Sequence, residues 1–222
     1  MAIEREAAPE PVMAPEVRAI AERLSGEVPA LAEGMFEHLA AQIPEIGDDE
    51  EIRGLTLASC ASNLESALSM LRHGIPVART QAPVAALEHA RYMAARGRSI
   101  DTTLRFYRLG LAWFWELWVV ELTREVPGAE RLAEVLRETA AFSFAYTDAV
   151  STRVSAELLA ERDRRERRIA AQREEVVAAL LDGASIDQGR AERTLGFVLD
   201  GPLVAFVCWA EGDAPDLERV AA

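Results

Sequence analysis

The stretch DTTLRFYRLGLAWFWELWVVEL, residues 101–122, constrains the fold of this chain more than any other. Leu104, Tyr107, Leu111, Trp115, Trp118 and Leu122 recur at spacings of three and four, so they share one face of a helix. Phe106, Leu109, Trp113, Leu117 and Val120 cover the other side. A helix that is apolar nearly all round is a buried helix. Its apolar runs fall short of the ~20 residues that cross a bilayer, and Glu116 and Glu121 interrupt them. The segment is therefore expected as the central helix of a soluble bundle. Gly110 costs about 1 kcal/mol of helix propensity, which points to another backbone passing close by.

Half of the 222 residues are apolar, enough for a sizeable core. The net charge of −13 argues against these residues gripping nucleic-acid phosphates, which need clustered cations. Cys60 and Cys208 are far apart and lack the spacing of a metal knuckle or redox pair, so a reducing cytoplasm is expected. The N-terminus, MAIEREAAPEPVMAPEV, is acidic and Pro-rich with no apolar core, and reads as neither signal peptide nor membrane anchor.

Taken in order, residues 1–14 read as a disordered tail. Pro15 opens a short helix closed by Ser25-Gly26, and Pro29 opens a second that Pro44 stops. The acidic run Asp48-Asp49-Glu50-Glu51 suits the start of a third helix ending near His73. A fourth runs from about Pro83 to Arg96 with Gly97 as its stop, and Ile100-Asp101 reads as staple and N-cap of the Trp-rich helix. Pro127-Gly128 breaks the chain, after which a helical pattern runs from Ala129 to Asp182. Its charged middle keeps a thin apolar seam of Ile169, Val176 and Leu180, which suits either pairing with a second copy or a solvated single helix. After a short helix over 187–196, the run from Leu203 to Trp209 reads as a buried strand. The expected fold is mainly α: a multi-helix bundle of globin-like or four-helix type over 15–155, a helical connector over 156–182, and the start of a small α/β element over 183–222.

The pattern LEHARYMAARGRSIDTTLRFYRLGLAWFW, residues 87–115, resembles the helical N-terminal domain named after the RsbR stress-sensor paralogues. The matching features are Glu88-His89-Ala90-Arg91, the Arg96-Gly97 break, Asp101, Leu104-Arg105, and Tyr107-Arg108-Leu109-Gly110. That domain stands at the front of many actinobacterial PucR-like (CdaR-like) transcription regulators. Residues 173–209 are similar to the lead-in and first strand of the degenerate GGDEF-like domain of the same regulators. The resemblance implies the sensory and oligomerisation region of a cytoplasmic, homodimeric regulator. It would touch DNA only through a C-terminal helix-turn-helix that this chain lacks. The rival expectations are a globin-like sensor for a small ligand or haem, and a stress-signalling scaffold acting through protein contacts.

Candidate site residues follow from chemistry. Arg105 and Arg108 sit among aromatic residues, so they suit an anion in a pocket with Tyr107 or Trp113 stacking on it; the plainer alternative pairs them with Glu88, Glu116 or Glu138. His89 invites a haem ligand, against the plainer reading of a half-buried, hydrogen-bonded histidine. Trp115 and Trp118 read as core or subunit interface, together with the connector residues Ile169, Val176 and Leu180. His38, His73 and His89 do not form a metal-binding spacing. Ser59, Cys60, Ser62 and Ser66 have no base or acid arranged around them, so no catalytic residue, resident cofactor or metal is expected.

Overall fold

A computed structural model describes residues 13–46 and 50–200. The expected strand from Leu203 to Trp209, Cys208, most of the N-terminal tail and the Asp48-Asp49 pair lie outside them. Seven α-helices make up the described chain: α1 (Pro15–Ser25), α2 (Val28–Gln42), α3 (Glu50–His73), α4 (Val84–Ala95), α5 (Ile100–Glu125), α6 (Ala129–Leu181) and α7 (Gln188–Leu195). Short 3-10 turns follow α2 at Pro44–Ile46 and α3 at Val77–Arg79. No strand occurs among the described residues. The fold is a multi-helix bundle with one very long helix.

Local signals set the helix ends. Pro15 occupies the first turn of α1, where its missing N–H costs nothing. Gly97 takes φ of +71° after α4, and Arg98 N–H reaches back to the Met93 carbonyl at 3.0 Å, so the chain leaves α4 through a left-handed glycine. The cap of α5 lies earlier than the Ile100-Asp101 reading places it. Ser99 is the N-cap, and its side chain accepts from the Thr102 N–H at 3.1 Å. Gly128, at φ +85°, turns the chain between α5 and α6.

The chain divides into two compact units, Met1–Arg165 and Glu166–Ala222. In the first, the hub is α3, not α5. Helices α1, α2 and α4 all pack on α3, while α5 rests against α1 and α2. The sequence of α3 explains this: Ser59, Cys60 and Ala67 are small and buried, so neighbouring helices approach closely. The Trp-rich helix buries Phe106, Phe114, Trp118 and Leu122, but Trp113, Trp115, Leu109 and Leu117 are half-buried and Val120 is exposed. It is a flank of the core and not its centre. Trp118 is 0% exposed, stacked on Phe114 with ring centroids 5.6 Å apart. Side chains of α6 reach α1 through Arg131–Glu16 at 3.1 Å, and α4 through Arg91–Glu157 at 2.7 Å.

In the second unit, Val176 is buried. With Ala179, Ile186 and Thr194 it surrounds a hollow between the end of α6 and α7, and Arg173 Nε donates to the Thr194 carbonyl at 3.3 Å. The expected seam is therefore split: Val176 is covered within its own unit, whereas Ile169 and Leu180 stay exposed.

Candidate ligand cavity between α2, α3, α5 and α6

The first unit contains a cavity of about 70 Å³. Met35 of α2 forms one side, and Cys60, Asn63, Leu64 and Ala67 of α3 form the floor. Phe106, Tyr107, Gly110, Leu111 and Phe114 come from α5, and Phe142, Ser143, Tyr146 and Thr147 from α6. The walls are mostly hydrocarbon and aromatic, and no Arg, Lys, His, Asp or Glu contributes to them.

One edge of this cavity is a set of buried polar groups. Tyr146 Oη donates to the Asn63 carbonyl at 3.2 Å and lies 3.3 Å from Asn63 Oδ1. The Asn63 side-chain N–H₂ in turn donates to the Ser59 carbonyl at 2.8 Å. Burial pushes the Tyr146 phenol up to about 12 and the Cys60 thiol up to about 12. Burial also raises Tyr107, although its neighbours Asn63 and Ser59 oppose the shift. All three groups therefore stay neutral near pH 7. Ser143 is different. It is 4% exposed, and its Oγ has no hydrogen-bond partner among the described residues.

Of the candidate site residues drawn from the sequence, Tyr107 alone lines the cavity. Arg105 and Arg108 lie on the exposed side of α5 and do not line it, because the helix turns Phe106, Gly110 and Phe114 inward. Trp113 does not face the cavity either. It packs over Gly34 of α2, where an added Cβ would come 3.2 Å from the indole. Gly34 is thus the glycine that makes room for a close approach. At Gly110 an added Cβ would meet Met35 Sδ at 3.7 Å, an ordinary contact. His89 is buried away from the cavity, its Nε2 3.2 Å from Thr56 Oγ1 and its ring 5.3 Å from that of Phe106. The Thr56 hydroxyl donates to the Ile52 carbonyl at 2.7 Å, so His89 Nε2–H is the donor between them. His89 is hydrogen-bonded, as in the plainer reading, but is buried and not half-buried. Trp115 is half-buried and Trp118 fully enclosed, so Trp118 offers no surface to a second chain in this arrangement.

Sequence reasoning missed Asn63, Phe142, Ser143 and Tyr146. Phe142 and Tyr146 carried a signal, since they stack with centroids 6.1 Å apart on one face of α6. Nothing local in the sequence marks Asn63 or Ser143.

Comparison with known families decides the relationship. The family described as RsbT co-antagonist protein rsbRD N-terminal domain matches residues 29–192. This chain belongs to that family. The match covers well over half of the chain and includes every residue of the cavity. No curated protein matches, and no solved structure matches. The assignment makes residues 29–192 a helical, sensor-like domain, and the family suggests a role in stress signalling. No described helix is long and apolar enough to cross a membrane.

Proposed function

We propose that this rsbRD-type domain is a sensory and pairing module that passes a signal along α6 to a DNA-binding partner domain of a PucR-like regulator. One observation carries the reading. Helix α6 walls the cavity with Phe142, Ser143, Tyr146 and Thr147, and the same helix runs on to Leu181. A change in how the cavity is filled shifts a helix that reaches far beyond it. Beyond the cavity, α6 exposes Leu159, Ile169, Val177, Leu180 and Leu181, apolar residues suited to a second copy of the helix. The PucR-type output is supported by the likeness of residues 173–209 to the lead-in of the GGDEF-like domain of those regulators.

The test uses cysteine substitutions in the connector. Ile169→Cys and Leu180→Cys should each cross-link to the same residue of a second copy under mild oxidation, and light scattering should give a dimer at micromolar concentration. A strict monomer that never cross-links through α6 overturns the pairing. Fusion ahead of a helix-turn-helix domain that needs dimerisation should then restore operator binding.

A second reading is favoured by the family's own description, which names a co-antagonist of RsbT. In it the domain acts as a scaffold through protein contacts, and the exposed Phe144 on α6, 62% accessible, is the natural point of contact. A Phe144→Glu variant that keeps its dimer but loses a stress-signalling partner would select this reading.

A further inference from the structure

We propose that the cavity is a binding site for a small, neutral, amphiphilic organic molecule: a hydrocarbon body of three to five non-hydrogen atoms ending in one hydroxyl or carbonyl oxygen, which bonds to Ser143 Oγ. The inference rests on the sensory reading and names the class of signal for it.

Size, polarity and charge each narrow the class. A cavity of about 70 Å³ is far below the roughly 300–1,000 Å³ of pockets that hold drug-sized ligands, so it suits a short branched chain and not a large cofactor. Its walls are chiefly Met35, Leu64, Phe106, Phe114 and Phe142. Of the lining residues, Ser143 is the one whose buried side-chain oxygen has no hydrogen-bond partner among the described residues. A single unpaired hydroxyl in an apolar hollow matches one oxygen on an apolar body. A charged molecule is excluded by the same walls, since no side chain of opposite charge lines them. No side chain or backbone group among the described residues bonds the Ser143 hydroxyl, and a ligand oxygen would supply that partner. Because Ser143 belongs to α6, occupancy acts directly on the helix that leaves the site.

The probe is propan-2-ol, with propionate as its charged counterpart. Binding is read by saturation-transfer NMR on the full chain. Propan-2-ol should saturate, with a dissociation constant on the order of millimolar as befits so few atoms, and propionate should show no saturable signal. Ser143→Ala should weaken propan-2-ol about tenfold. Gly110→Ala places a methyl beside Met35, takes up part of the cavity and should weaken binding at least threefold; alanine suits a helix better than glycine, so this variant folds. Equal binding of propionate, or propan-2-ol binding unchanged in both variants, overturns the site. So does the absence of saturable binding to the native chain with water alone in the cavity. Those outcomes leave the dimer and cross-linking test of the relay untouched, so the two failures are distinguishable.

Discussion

The Tyr146 hydroxyl on α6 donates to the Asn63 backbone carbonyl on α3 at 3.2 Å, and this bond ties the long helix to the hub of the bundle. Both residues line the cavity, so the tie stands beside the space where a ligand would act. Tyr146→Phe keeps the ring that stacks on Phe142 but removes the donor. The loss should be about 1 kcal/mol of unfolding free energy in urea, the usual worth of one buried neutral hydrogen bond. Tyr146→Ala also empties the ring volume and should cost about 3–5 kcal/mol.

Ser143 offers the opposite case. Its hydroxyl is buried with no partner among the described residues, so removing it relieves a cost instead of creating one. Ser143→Ala should raise unfolding stability by about 1 kcal/mol in the absence of ligand, measured by chemical denaturation. A gain in stability joined to weaker binding of a neutral probe is the expected signature of a functional polar group.

Burial pushes the His89 imidazole down to about 4 from its ordinary 6.5. The folded value lies below the unfolded one, so the unfolded chain takes up the proton first. The stability due to neutral His89 is complete above pH 6.5 and is lost as pH falls toward 4. By pH 4.5 the native chain should have lost about 2 kcal/mol more than His89→Gln, read from urea midpoints at a series of pH values. Glu16 and Glu157 do not obscure this window. Arg131 beside Glu16, and Arg91 and Arg164 beside Glu157, hold both carboxyls below the usual range, so their losses come at lower pH.

Glu121 sits on the buried face of α5 and is ion-paired with Arg23 of α1 and with Arg124 at 3.0 Å. In the sequence it looked like a mere interruption of an apolar run. Arg23→Ala leaves the carboxylate to Arg124 and should cost about 1–2 kcal/mol, since a hydrogen bond to a charged group is lost beside a buried anion while Arg23 itself is partly exposed. Thermal unfolding of Arg23→Ala beside Glu121→Gln would check it. The double variant should be less destabilised than the two single changes summed, because both remove the same pair.

Helix number and most helix ends, the cap of α5 excepted, were legible in the sequence because they rest on local chemistry. Pro15 starts α1, Gly97 stops α4, and Pro127-Gly128 separates α5 from α6 wherever the rest of the chain lies. The family likeness was legible for a related reason, since the Arg96-Gly97 break and the Tyr107–Gly110 run are contiguous. Tertiary structure alone decided which side of α5 faces inward. With apolar residues on both sides, the helix carried no directional signal, and the packing of α1 and α2 turned Phe106, Phe114 and Trp118 inward and left Arg105 and Arg108 outside. It also made α3 the hub, through small residues that no hydrophobic pattern emphasises. The cavity belongs to tertiary structure entirely: Met35, Asn63, Phe106 and Ser143 come from four helices, and only packing brings their side chains around one space.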